Sequence, residues 1–271
     1  MYLSSPLTKS KDSLKECITW SLFHLGYSVI KVKPLESIHS LIKSLRPIKT
    51  NLIRIGGDSD GGYLLPNDLK GVTKCFSPGV AHTSNFEKSL ESYEIISFLA
   101  DYSVDSPANL GTNNFFLKKF VAPYNSAIHI NFQDWISSNS KITEDLILQM
   151  DIEGNEYATI LSCRTDILKR FRIMIIEFHS LDLIFDARAF PIIKDCFNLI
   201  LNDFHVVHIH PNNTGRYRRF RDVAIPSTME FTFIRKDRIT VVAFTKNFPH
   251  DLDRLNDINK SDQKLPKVWW N

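Results

Sequence analysis

Acids and histidines gather directly after three apolar runs of the sequence. Residues 146–150 lead into Asp151-Ile152-Glu153-Gly154-Asn155-Glu156. Residues 173–178 carry Glu177 and are followed by His179, and residues 205–209 run into His210-Pro211-Asn212-Asn213. In a strand, alternate side chains share a face, which pairs Glu177 with His179 and His208 with His210. Ionisable groups at the ends of apolar strands cost desolvation energy unless they are paired or liganded. Three such ends together point to an active site. Carboxylates and an imidazole form a donor set for Mn²⁺ or a similar ion, whereas Mg²⁺ favours more oxygens. Asp151, Glu177 and His179 are therefore candidate ligands of a divalent cation, Mn²⁺ or Mg²⁺. Without a metal, His179 is the candidate general base, because an imidazole titrates at about pH 6.5 and Glu177 can orient it. His210 is the reserve base, and Glu153, Asn212 and Asn213 are candidates for holding an acceptor. The competing reading is a buried Glu–His pair that only stabilises the strand ends.

A second group lies upstream. Ser77-Pro78-Gly79-Val80-Ala81-His82 follows an apolar run, and Asp101 follows the next one, 22 residues beyond Gly79. Gly79 allows close backbone approach, and a helix start soon after it can receive an anionic group. An acid roughly 20 residues further on is where ribose hydroxyls are received in nucleoside-binding folds. The full GxGxxG is absent, which disfavours a dinucleotide and favours a mononucleoside with a carboxylate tail.

Positioning these groups requires strands that alternate with helices. Apolar runs at 72–76, 95–100, 127–131, 146–150, 173–178 and 205–209 are separated by helical stretches, such as the one carrying Tyr157, Ile160, Leu161, Ile167 and Leu168. That alternation predicts a doubly wound, mostly parallel α/β sheet, with residues 229–235 returning antiparallel. Ligands bind such sheets outside the carboxyl ends of the strands. Two short helices precede it, the second carrying Leu35, Ile38, Leu41, Ile42 and Leu45 before Pro47. The expected division is a helical extension over 1–50 and the main domain over 51–271.

Composition bounds the function. With 33 basic and 30 acidic residues in 271, the net charge of +3 is too weak a bias to call nucleic-acid binding. Cys17, Cys75, Cys163 and Cys196 form no CxxC or CxxH pair, which disfavours a zinc ribbon or disulfide scaffold and suits a reducing, cytoplasmic setting. No run reaches the roughly 20 apolar residues that span a bilayer. Residues 17–30 read as a packed N-terminal helix rather than a membrane-surface one.

The motifs also carry a family resemblance. Met150-Asp151-Ile152-Glu153-Gly154-Asn155-Glu156-Tyr157 resembles the MDIEGxEY signature of the FkbM-type S-adenosylmethionine-dependent methyltransferases. Glu177-Phe178-His179, His208-Ile209-His210-Pro211-Asn212-Asn213 and Glu230-Phe231-Thr232-Phe233 are similar to later blocks of one branch, as are Asp60-Gly61-Gly62-Tyr63 and the tail segments Phe248-Pro249-His250 and Leu265-Pro266. The resemblance runs over residues 52–267. It implies a class I, Rossmann-like methyltransferase fold with a seven-stranded sheet whose last strand is antiparallel. It implies S-adenosylmethionine as cofactor and O-methylation, with a hydroxyl of a sugar or glycan precursor as acceptor. It also implies that the loop carrying Asp60 and Gly61 folds over the cofactor. The usual glycine-rich first motif is reduced here to Ser77-Pro78-Gly79-Val80. Both readings agree on the ligand, whose ribose suits Asp101 and whose carboxylate suits the amides around Gly79.

Other readings compete. Asp58-Ser59-Asp60 is a DxD sequence of the kind that holds a metal on a sugar nucleotide in glycosyltransferases, but it precedes the alternating region. An EF-hand fails because Tyr63 stands where the loop needs glycine. Gly215-Arg216-Tyr217-Arg218-Arg219-Phe220-Arg221 interleaves bases with aromatics, as single-stranded nucleic-acid sites do, which would suit an RNA methyltransferase. The weak net charge and the lack of an NPPY-type motif count against that. A contact from Arg216 to a phosphate or carboxylate on the acceptor is the simpler role. A non-catalytic module would bind cofactor without turnover.

Overall fold

The computed structural model describes residues 6–271, with side chains from residue 14 onwards. Two helices open the chain, α1 (Pro6–His24) and α2 (Leu35–Ser44). The apolar stripe of α2 buries Ile38, Leu41 and Ile42 in the main core. The first helix departs from expectation twice. It is long, with 19 residues, and among its described side chains Leu14, Ile18, Trp20 and Phe23 are exposed rather than packed. At 100° per residue Trp20 and Phe23 point away from the side of Leu14 and Ile18, so no single stripe exists to dock.

Strands β1 (Leu52–Ile55) and β2 (Tyr63–Pro66) pair as an antiparallel hairpin around the glycine-rich stretch. Then come β3 (Lys74–Pro78), α3 (Asn85–Leu90), β4 (Ile96–Ala100), β5 (Phe115–Leu117), β6 (Phe120–Ala122), β7 (His129–Asn131) and α4 (Phe132–Asn139). They are followed by β8 (Leu146–Met150), α5 (Glu156–Ser162), α6 (Thr165–Leu168), β9 (Phe171–Phe178) and α7 (Phe190–Asp203). The chain closes with β10 (Phe204–Pro211), β11 (Tyr217–Phe220), β12 (Val223–Pro226) and β13 (Met229–Arg235). A long irregular segment after β13 runs back over the sheet edge.

Seven strands form the central sheet in the order β10-β13-β9-β8-β3-β4-β5. All are parallel except β13, which lies antiparallel between β9 and β10. This is the class I methyltransferase arrangement expected from the sequence. One strand assignment is corrected. Residues 129–131 do form β7, but it pairs only with β6, and the outer place in the sheet belongs to β5. Three residues, with Phe115 exposed at the edge, leave too short a run for periodicity to register. The stretch from Tyr157 to Leu168 is likewise two helices, broken where Cys163 turns extended.

The two faces of the sheet differ. Phe178, Phe231, Phe233 and Ile209 face the main core with α5 and α7 behind it, while Ile147, Ile173 and Ile175 pack under β2 and α3 in a smaller cluster. The functional side chains stand on the second face.

Candidate active site

Strand register lines up the polar groups. Gln149 pairs with Ile175, Ile175 with Thr232, and Thr232 with His208, forming one row across β8, β9, β13 and β10. One pleat nearer the strand ends, Glu177 pairs with Glu230 and Glu230 with His210. Asp151 lies two residues beyond Gln149 and so extends this second row on the same face. An antiparallel β13 between two parallel neighbours is what brings Glu230 into the row, and sequence alone could not give that register.

His179 is held by Glu156, a fully buried carboxylate at the start of α5. Glu156 Oε1 accepts the amides of Ile152 at 3.2 Å and Gly154 at 3.0 Å and bonds His179 Nδ1 at 3.0 Å. The other ring nitrogen is thereby aimed at carboxylates: Nε2 lies 3.3 Å from Glu153, 3.6 Å from Glu177 and 3.8 Å from Asp151. Asn212 fixes Glu177 through a 3.0 Å bond from its Nδ2, while its own Oδ1 accepts from Thr214.

One donor atom each from Asp151, Glu177 and His179 lies within 4.8 Å of the others, a span that one cation can bridge. Asp151 Oδ1 is buried without a hydrogen-bond partner. A carboxylate on the far nitrogen of an imidazole is also how metal-binding histidines are oriented. These three residues therefore fit a divalent cation. Burial pushes the Asp151 carboxyl up to about 7, despite the opposing pull of His179. Glu177 is raised well above the carboxylate range by burial and then by Asp151 and Glu230. Burial lowers His179, but its bond to Glu156 and the surrounding carboxylates more than offset this and hold it above its ordinary value.

The Gly79 turn packs against this cluster. Gly79 has φ +85°, and a β-carbon there would lie 1.5 Å from the Asp151 carbonyl oxygen, so only glycine fits. The close approach read from sequence is thus to the neighbouring strand end. Asp101 closes the turn from the other side. Its Oδ2 accepts the Ala81 amide at 2.9 Å, and Oδ1 accepts the amide and hydroxyl of Ser103, both at 2.7 Å.

Two adjoining cavities flank Asp60 and Asp151, which line both. The smaller, about 200 Å³, is walled by Gly61, Tyr63, the 79–83 turn, Glu87 and Gln149. The larger, about 700 Å³, is walled by Glu153, Glu177, His179, Asn212 and Thr214, and by Asn256, Asp257 and Ile258 from the segment after β13. Among the described residues no lysine, arginine, phenylalanine, tyrosine or tryptophan lines it, and its one aromatic ring is the His179 imidazole.

The Methyltransferase FkbM domain matches residues 26–204, about two thirds of the chain. The chain belongs to the FkbM methyltransferase family. It is therefore an S-adenosylmethionine-dependent methyltransferase. No curated protein matches the chain. Among solved structures it is similar to the fibrillarin pre-rRNA processing protein of Methanococcus jannaschii (10% identity, 62% of this chain and 68% of that one, TM-score 0.37). It is also similar to an rRNA methylase of Streptococcus thermophilus (7% identity, 76% and 99%, TM-score 0.36). A third is the magnesium protoporphyrin IX methyltransferase of Synechocystis PCC 6803 with bound S-adenosylhomocysteine (10% identity, 62% and 76%, TM-score 0.32).

Within this FkbM methyltransferase, the candidates separate by position. Asp60 and Gly61 line the smaller cavity, on a loop that Arg54 pins through the carbonyls of Gly57 and Ser59. Glu153 and Asn212 line the larger cavity. Asn213 turns away from it: its Nδ2 donates to the carbonyls of Asp257 and Lys260 and its Oδ1 accepts the Asp257 amide. His210 stands behind the cavity, beside Glu230 and 3.8 Å from Asp253. Arg216 is exposed, with its backbone bonded to Ser227 and its side chain outside the cavity wall. Sequence reading gave no role to Glu156, Glu87, Glu230 or the 256–258 segment. Glu156 was within reach, as an acid inside the same motif. The others depend on long-range packing that leaves no local signal.

Proposed function

We propose that the protein methylates a hydroxyl of a neutral sugar or glycan precursor. The observation that carries this reading is the character of the larger cavity. Its wall of carboxylates, amides and hydroxyls matches a polyol, which offers many O–H donors. A flipped or unstacked base would call for aromatic or arginine platforms, and a phosphate-rich acceptor for bidentate arginine. The arginines of the β11–β12 hairpin stand outside that wall, which disfavours RNA. The unpaired cysteines support a reducing compartment such as the cytoplasm.

In this reading the smaller cavity would hold the methionine end of the cofactor, and the amides of the Gly79 turn would receive its carboxylate. Asp101 braces that turn through Ala81 and Ser103 and would receive the ribose beside it. Asp60 and Asp151, which line both cavities, would then flank the transferred methyl group. S-Adenosylmethionine, when bound, would supply its methyl group to an acceptor oxygen by in-line displacement, with S-adenosylhomocysteine as the leaving group. Glu177, fixed by Asn212, and Asn212 itself orient the acceptor. Asp151, Glu177 and His179 would hold a divalent cation, which when bound acidifies a hydroxyl. Without one, His179 takes the hydroxyl proton through Nε2, and the exposed Glu153 passes it to solvent. Labelled cofactor supplied with a panel of glycans, free sugars and RNAs tests the acceptor, and label appearing only in RNA refutes the sugar. Activity lost to a chelator and restored by Mn²⁺ supports the cation; an unchanged rate supports the base.

A further inference from the structure

The smaller cavity contains a buried acid that the mechanism above leaves unused. Glu87, on α3, is only 3% exposed, yet it forms part of the cavity wall. Its Oε1 is in hydrogen-bond contact with Ser77 Oγ, which lies 2.5 Å from Gln149 Oε1. Gln149 Nε2 in turn donates to Tyr63 Oη at 3.1 Å. Ser77 has one proton and two oxygen acceptors. With the Gln149 amide in this orientation, both contacts are satisfied when Glu87 carries the missing proton and donates to Ser77, which then donates to Gln149. The same chain can run in reverse. If the Gln149 amide rotates, Tyr63 donates to Oε1, Nε2 donates to Ser77, and Ser77 donates to an ionised Glu87. The polar chain is therefore complete in two states that differ by one proton.

We propose that Glu87 receives the α-ammonium group of the cofactor and gives up its own proton when the cofactor binds. The inference rests on the placement of the methionine end in this cavity. Ammonium and carboxylate sit on one carbon, so their receptors must be neighbours. The Gly79 turn and Glu87 are neighbouring walls of a space of about 200 Å³. A buried carboxyl beside that turn supplies charge where an ammonium would otherwise be desolvated without a partner. The balance is simple: one proton passes from Glu87 to solvent, and the incoming cation replaces it. Burial, opposed by the Ser77 bond, raises the free carboxyl to about 7, so the proton is present near neutral pH. The other titratable groups that face it are Tyr63 and Cys75, both raised by burial, with Asp60, His82 and Asp151 on the cavity wall.

The test is calorimetry of the full chain with S-adenosylhomocysteine at pH 6.5, in two buffers of different ionisation enthalpy. That ligand has no reactive methyl, and its ammonium is charged at this pH. Wild type should release roughly three-quarters of a proton per ligand bound. Glu87→Gln keeps the shape and can still donate to Ser77. It should release none and bind more than tenfold more weakly, with its melting temperature preserved. An analogue lacking the α-amino group should bind both proteins equally. Wild-type binding without proton release, or a Glu87→Gln variant that binds and releases protons like wild type, overturns the proposal. Gly79→Ser, measured where circular dichroism and hydrogen exchange away from the turn show it folded like wild type, keeps the two readings apart: if it abolishes binding while wild type binds proton-neutrally, the cavity is right and Glu87 is not the receptor.

Discussion

Asn213→Ala should open the acceptor side of the enzyme while sparing the cofactor side. Asn213 is 4% exposed and makes three bonds to the segment after β13, at 2.8, 2.9 and 3.2 Å. At about 1 kcal/mol net each, with water able to reach the freed carbonyls, the loss is about 2 to 3 kcal/mol. That shifts docking of the segment by roughly 30- to 150-fold. Hydrogen exchange followed by mass spectrometry reads this directly. Amides over 250–260 should lose protection by a comparable factor, while those over 79–90 stay unchanged. The acceptor KM should rise at least tenfold, and the affinity for S-adenosylhomocysteine should stay within twofold. Unchanged exchange over 250–260, or an equal loss of cofactor affinity, would refute the reasoning.

Three further outcomes follow from the site. Gly79→Ala combines a positive φ with overlap of the Asp151 carbonyl, so it should cost about 2 to 4 kcal/mol by chemical denaturation and lower cofactor affinity; a melting curve like wild type would contradict the packing. Asp151 has a folded pKa of about 7, above the roughly 3.9 of an unfolded chain, so its contribution to stability is full below about pH 4 and is lost as pH rises through 7. Metal-free wild type should therefore lose about 3 to 4 kcal/mol between pH 4 and 7.5 relative to Asp151→Asn, and Mn²⁺ should restore it; parallel curves for the two proteins would remove Asp151 from the cluster. Glu156→Gln keeps the bulk but weakens the hold on His179, so kcat should fall at least tenfold with KM little changed and the pH–rate limb assigned to His179 moved down; an unmoved limb would sink the positioning role.

Much of this was legible in the sequence where chemistry and periodicity coincide. The run 146–150 followed by Asp151, and 173–178 followed by His179, announce strands by their apolar residues and a site by what interrupts them. Gly79 and Asp101 could be placed at adjacent strand ends by the same logic. What failed depends on partners distant in sequence. Asn213 reads as a polar side chain at a strand end, and only the segment 44 residues later decides that it is a fastener. Glu230 reads as an oddity in an apolar strand until β13 is seen wedged between β9 and β10. The three residues of β5 are too few for any periodicity, and α1 has no stripe from which its exposure could be foreseen.

The contact between Gly79 and Asp151 has a mechanical consequence. Two strand ends that touch at the α-carbon of a glycine act as a strut, because neither can advance without the other retreating. In the proposed reading, the separation between the cofactor turn at Gly79 and the carboxylates of Asp151 and Glu177 is then a built-in length, set by neighbouring strands of the sheet. Such an enzyme does not adjust its reach to the substrate. In the proposed reading the acceptor would deliver its hydroxyl to a fixed point, and the far wall is the 256–258 segment fastened by Asn213. On that reading larger acceptors would be accommodated by what they extend outward, past that wall, and not by how deeply they enter.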